Sequence, residues 1–289
     1  MDSIRTLLPH EFPFLLRQVP QMPDKLYVRG RLPPADAIFL TVVGSRKHSE
    51  YGKEACETLI RGLKGLPVAI VSGLALGIDS IAHRAALESG LATVAVPGSG
   101  LDDASIYPAS HLGLARDILA AGGALISPFA IGTAAQPWMF PRRNAIMAGM
   151  SQAVLVIEAE ARSGTLITAR HAADLSRDVL AVPGSIFSPG SAGPNALIGT
   201  GAIPISSARD LREALGFEAE AEEAPNSAPP DMSPDESTIF DIIADPLPRE
   251  GLFALAARRG MDASRTNAAL TLLEIKRLVA ERSGLLSRA

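Results

Sequence analysis

The sequence predicts an α/β protein: a doubly wound, mostly parallel sheet with helices on both faces, followed by a small winged-helix-like α(+β) module. Three observations carry that reading. From Ala37 to about Gly216, short apolar runs alternate with helical patterns, as parallel strands joined by helical crossovers require. The turns that end several of those runs are rich in Gly and Ser. Beyond Gly216 the composition changes abruptly, and a separate helical pattern starts only near Ser237.

Residues 1–35 read as a short extension with an amphipathic stretch around Glu11–Leu16 and a short strand and turn at Leu26–Gly30. Residues 36–216 form the expected core. Its strand-like runs are Ile38–Val43, Val68–Val71, Ala92–Val96, Ala124–Ser127, Ala153–Glu158, Val179–Val182 and the weaker Ala202–Ile205. Continuous apolar runs such as Ala153–Ile157 suit strands buried on both faces. Helical patterns fill the gaps, among them His48–Leu63, Ile78–Glu88 and Pro108–Ala121. The acidic Pro- and Ala-rich stretch 217–236 reads as a disordered linker, with too little apolar surface to fold. Residues 237–289 carry three helical patterns, near Ile239–Ala244, Gly251–Arg258 and Ser264–Arg277, and a hairpin pattern at Leu278–Leu286.

No apolar run approaches a membrane span, and Met1-Asp2-Ser3 does not open a signal peptide, so a cytoplasmic protein with no membrane partner is expected. The single Cys56 excludes an intramolecular disulfide and any cysteine-rich zinc site. The net charge of −4 conceals an asymmetry. Ten acidic residues and no Lys or Arg lie between Glu213 and Asp245, so the rest holds 27 basic residues against 31 less 10 acidic, a net of +6. A basic body with an acidic insert is compatible with a polyanionic ligand.

Ligands of doubly wound sheets sit outside the carboxyl ends of the strands, so the turns there are the candidate site. The first is Gly44-Ser45-Arg46, with a permissive Gly, a Ser that can cap, and a cation where a helix dipole favours an anion. The second, Ser72-Gly73 to Gly77-Ile78-Asp79, lets the backbone approach a phosphate or a neighbouring strand, with Asp79 favouring the helix dipole and His83 a buried structural histidine. The third, Gly98-Ser99-Gly100-Leu101, departs from a dinucleotide fingerprint because Asp103 stands where the third Gly belongs, and no P-loop pattern occurs. Several anion-friendly turns on one edge suit a strand of nucleic acid better than one nucleotide.

The densest stretch is Gln136–Ala169. It holds the only Trp, Trp138, then Phe140, Arg142, Arg143 and Asn144, a helix over Ala145–Met150, a buried strand, and Ser163-Gly164-Thr165 opening another helix. Aromatic faces, fixed cations and a helix N-terminus are the parts a single-stranded nucleic-acid site uses. Asn144 has two readings here, a DNA contact or the cap of the helix that follows it.

These residues resemble the DNA processing protein A (DprA, or Smf) family. The resemblance runs in order through Gly44-Ser45-Arg46, Ser72-Gly73, Gly77-Ile78-Asp79, Ala82-His83, Gly98-Ser99-Gly100-Leu101 and Tyr107-Pro108. It continues through Phe140-Pro141-Arg142-Arg143-Asn144, Ser163-Gly164-Thr165-Leu166, Ala181-Val182-Pro183-Gly184 and Asn195 to Ala202. It implies an extended Rossmann-like core binding single-stranded DNA as a homodimer, protecting incoming strands in natural transformation (competence) and helping load the RecA recombinase, without catalysis, cofactor or metal. It places the DNA pocket at Arg46, Phe140–Asn144 and Ser163–Thr165. Departures are Pro128 where a Glu is usual, Ala145 where a second Arg is usual, and an N-terminus too short for the helical domain many members carry. The rival reading is a nucleotide-cleaving hydrolase of the lysine-decarboxylase-like Rossmann group. Gly164-Thr165 fit its pattern, but Thr168 stands where the catalytic carboxylate is required and Glu158 is at the wrong offset.

Overall fold

The computed structural model describes residues 3–20, 22–217, 232–276, 278–282 and 284–288. They fall into two compact units, one within 1–219 and one within 220–289.

In the larger unit, β1 (Arg5–Leu7), β2 (Leu26–Gly30), β3 (Ile38–Val43), α1 (Glu50–Arg61), β4 (Val68–Ser72), α2 (Ile78–Glu88), β5 (Ala92–Ala95), α3 (Leu112–Ala120) and β6 (Ala124–Ser127) come first. They are followed by α4 (Met139–Met150), β7 (Ala153–Val156), α5 (Thr165–Asp174), β8 (Asp178–Ala181), α6 (Ala192–Gly199), β9 (Ile203–Pro204) and α7 (Ala208–Ala214). The nine strands form one sheet in the order β1-β2-β6-β5-β4-β3-β7-β8-β9. Every pairing from β6 to β9 is parallel, and β2 joins β6 and β1 antiparallel at one edge.

The chain builds outward from β3 through β4 and β5 to β6, then returns to lay β7 on the other side of β3. The order therefore reverses between β3 and β7, where open α/β sheets leave a crevice at their carboxyl edge. Side-chain alternation splits the core in two. Phe39, Val43, Ala69, Val71, Val154 and Val156 meet α4, α5 and the N-terminal segment. Leu40, Val42, Ile70 and Leu155 meet α1, α2 and α7. Strands covered on both faces cannot alternate polar with apolar, hence the continuous runs.

The smaller unit comprises α8 (Pro234–Ile242), β10 (Leu247–Pro248), α9 (Arg249–Arg258), α10 (Ala263–Ile275), β11 (Val279–Arg282) and β12 (Leu285–Arg288), the three strands pairing antiparallel as β10-β12-β11. Its own core includes Ile239, Leu252, Leu270, Leu273 and Leu286. Of the expected linker, residues 218–231 lie outside the described ones; α8 begins at Pro234, capped by a reciprocal Ser233–Glu236 box. No helix among the described residues is long and apolar enough to cross a membrane.

His83 is fully buried on α2, its Nδ1 2.7 Å from the Thr93 hydroxyl, which donates to the Ile70 carbonyl. Burial pushes its pKa down from 6.5 to about 3, so the folded imidazole stays neutral while the unfolded one titrates normally. A lowered folded pKa means stability present above pH 6.5 and lost as the pH falls toward 3, at about 1.4 kcal/mol per pH unit. Urea titrations at pH 6.5 and pH 5 should show it as a difference of about 2 kcal/mol. His83→Gln should flatten that dependence by one proton; an unchanged slope would remove His83 as its source.

Candidate nucleic-acid interface

The crevice at the β3/β7 reversal is a cleft of about 500 Å³. The turn after β3 supplies Gly44, Ser45, Arg46 and Lys47; α4 supplies Phe140, Arg143 and Asn144; the start of α5 supplies Ser163, Gly164 and Thr165. Three stretches far apart in sequence are thus brought to one place. Arg46 and Lys47 are exposed, as are Glu160 and Arg162 on the α5 side. Ser45 does not cap α1: its Oγ accepts from the Lys47 N–H at 3.0 Å, and Ser49 is the N-cap, accepting from Gly52. The turn is thereby held open with Arg46 at its apex.

Helix α4 begins at Met139, six residues before the expected start, because Pro141 sits in the first turn, where its missing N–H had no helical partner to lose. Phe140 to Asn144 are therefore helical. Asn144 is the sixth residue of the helix, so the capping reading is overturned; its side chain faces the cleft. Phe140 is half-buried, with Tyr107 tilted against it at 6.0 Å and the Arg46 guanidinium over its ring at 5.4 Å. Its other support is Gly98, whose bare Cα lies so close that a Cβ there would come within 2.7 Å of the ring.

The paired arginines separate. Arg142 is exposed, with its guanidinium 5.8 Å from the Trp138 ring. Arg143 is buried, and its Nη1 donates to the carbonyls of Gly73 and, at 2.7 Å, Val96. It thus ties together the ends of β4 and β5. Gly73 allows this, since a Cβ there would collide with the guanidinium. Beside it lies buried Asp79, which accepts from the Gly73 N–H at 3.1 Å and the Ala75 N–H at 3.4 Å. Burial pushes the Asp79 carboxyl above its usual range and the Arg143 guanidinium below its own, while their mutual attraction opposes both shifts. Asp79 is thus half of a buried ion pair under the cleft, rather than a residue placed for the helix dipole.

The remaining candidates stand behind the cleft or at its rim. Ser72 and Ser99 are fully buried, their hydroxyls donating to Val42 O at 2.7 Å and Gly100 O at 3.1 Å. Gly73 borders a narrower opening with Arg46, Tyr107 and Phe140. Thr165 Oγ1 donates to Gly44 O at 3.1 Å, joining the α5 turn to the β3 turn, and Ser163 Oγ accepts from Thr165 N at 3.2 Å. The first N–H groups of α5 already bond to Ser163 and Gly164, so this end attracts an anion mainly through the helix dipole.

Glu158 is turned away from the cleft, holding the start of α1: it accepts from Ser49 N at 2.9 Å and from Ser49 Oγ at 2.5 Å. Thr168 lines the cleft floor, with its hydroxyl buried and without a hydrogen-bond partner. Among the described residues no three His, Cys, Asp or Glu gather as a metal site. Sequence reasoning missed Lys47, Tyr107 as a support for Phe140, and Asp79 as the partner of Arg143; only the Tyr107–Pro108 motif gave a hint.

A doubly wound sheet with a basic, aromatic-walled crevice at its strand-order reversal places the chain among extended Rossmann-like proteins. It belongs to the DNA recombination-mediator protein A family, whose model matches residues 3–216. Protein Smf of Escherichia coli K12 is 44% identical over 211 residues, 71% of this chain and 54% of that protein, so the chain spans about half that relative's length. DNA processing protein DprA of Streptococcus pneumoniae R6 is 39% identical over 212 residues, 73% of this chain and 74% of its own. The crystal structure of DprA from Streptococcus pneumoniae superposes with a TM-score of 0.67 at 35% identity, covering 73% of this chain and 74% of that one. DprA from Helicobacter pylori, whose structure was described for its single-stranded DNA binding mode, gives 0.65 at 27% identity, covering 74% and 98%.

Proposed function

We propose that this protein is a non-catalytic single-stranded DNA-binding recombination mediator that protects incoming strands during natural transformation and helps load RecA on them. It acts in the cytoplasm as a homodimer. Residues 36–216 are the DNA-binding core, and 237–289 a winged-helix-like module joined to it. The observation that carries this reading is the juxtaposition of Arg46, the α5 start and the Phe140 wall around one crevice. The guanidinium and the helix dipole attract phosphate, and the aromatic wall suits unstacked bases, which a duplex does not offer. Arg46, Lys47 and Arg162 face the strand's phosphates, with Asn144, Ser163, Gly164 and Thr165 beside them. Ser72, Gly73, Gly98 and Ser99 act from behind, as the backbone on which Phe140 and Arg143 rest. Family membership supports the same class of function.

The hydrolase reading is disfavoured by two observations. Glu158 is spent on the α1 cap, and Thr168 occupies the cleft floor where that chemistry needs a carboxylate.

The test is anisotropy of labelled single- and double-stranded oligo-dT and oligo-dT·dA across a salt series. Binding is expected to favour the single strand and to weaken with salt, the slope in log–log form being about 0.7 per phosphate neutralised. Equal affinity for duplex, or salt-independent binding, would sink the reading. Light scattering tests the dimer. RecA filament growth on bound strands, compared with bare ones, tests the loading role.

A further inference from the structure

Trp138 stands at the N-cap of α4 and is 55% exposed, a costly place for the only indole in the chain. It is also held in position. Its ring meets Phe129 edge-on, with centroids 5.7 Å apart and planes at 88°, and Phe129 is buried. The loop leading from Phe129 is pinned by Asp102, which accepts from Gly132 N at 2.7 Å, and by Gly100 N donating to Thr133 O at 2.8 Å. The Arg142 guanidinium, one helical turn on, lies 5.8 Å from the indole centroid. Phe140, by contrast, is enclosed by Gly98, Tyr107 and the Arg46 guanidinium, which leaves little of its face for a ligand.

We propose that Trp138 with Arg142 is a base-stacking platform at the rim of the cleft, taking a nucleobase of the single strand whose neighbouring phosphates lie by Arg46. Phe140 is then a positioning residue, a flat support that orients the Arg46 guanidinium. The proposal rests on the single-stranded DNA reading above. It commits to a nucleobase because the platform continues the cleft through α4 and pairs an open π-face with a cation, the two parts that hold a base and its phosphate together. A rigid, exposed indole costs little conformational entropy on binding, because its orientation is already set by Phe129 and the pinned loop.

The full-length protein carries its own reporter, since no other Trp contributes to its emission. Unlabelled oligo-dT should quench Trp138 fluorescence along the same isotherm as the anisotropy of labelled oligo-dT. Trp138→Ala should weaken single-strand binding by about 5- to 150-fold, the range of one base–aromatic stack, with an unchanged salt slope. Trp138→Phe should recover most of the loss, and circular dichroism confirms that both variants are folded. If anisotropy reports binding while the indole emission stays constant, or Trp138→Ala binds within twofold of the parent, the platform is wrong and the wider reading survives. If labelled single strands do not bind at all, that reading fails and takes the platform with it. Quenching by oligo-dT but equally by a duplex would also overturn the platform, because paired bases cannot stack on it.

Discussion

Arg143→Met is expected to lower the melting temperature of the larger unit by about 6–20 °C. The substitution leaves Asp79 buried with only the Gly73 and Ala75 N–H groups to hold its charge. Removing one partner of a buried pair costs about 3–5 kcal/mol, and in a unit of this size each kcal/mol moves the transition by about 2–4 °C. It also frees the Gly73 and Val96 carbonyls, the two strand ends that Arg143 clasps. Adding Asp79→Asn to the same variant should recover part of the loss, because the stranded charge is then gone. Calorimetry of the parent, both single variants and the double variant decides the matter. Simple additivity in that cycle would mean that Asp79 and Arg143 do not act as a pair.

Arg46→Ala should weaken binding of single-stranded oligo-dT by about 10- to 150-fold, the worth of a charge-assisted contact, while the melting temperature stays within a degree or two. The side chain is exposed and its loss strands no buried group, so the effect falls on binding alone. The salt slope should fall by about 0.7, one phosphate contact on a single strand. Arg46→Lys separates charge from shape. A lysine retains the cation but loses the flat guanidinium that lies over Phe140, so it should restore the salt slope and only part of the affinity. A Lys variant equal to the parent would mean that the Phe140 support is irrelevant to Arg46. An Ala variant that binds like the parent would remove Arg46 from the interface.

Much of the larger unit could be read from periodicity because its parallel strands are buried on both faces, and an apolar run such as Ala153–Ile157 admits few other roles. Strand ends followed by Gly-Ser turns then locate the carboxyl edge, and with it Arg46 and Ser163–Thr165. What was not legible depended on contacts over long sequence separations. Two adjacent arginines look alike in sequence; that Arg143 is buried and Arg142 exposed depends on Asp79 and the carbonyls of Gly73 and Val96, brought in by other strands. The true start of α4 was masked by Pro141, a breaker everywhere except in a helix's first turn. Strand β1, three residues long, is too short to show a period, and its place is set by pairing with β2. Ser72 and Ser99 sit in turns that look made for phosphate, yet their hydroxyls serve the neighbouring backbone.

The contact between Gly98 and the Phe140 ring has an evolutionary consequence. Two positions on different elements share one volume, so neither can drift alone. A lineage that acquires any side chain at 98 must shrink or re-aim the aromatic at 140, and the guanidinium it supports moves with it. In a library randomised at both positions and selected for binding, survivors should fall into coupled pairs. Glycine should appear with a six-membered ring, and alanine or serine only with something smaller.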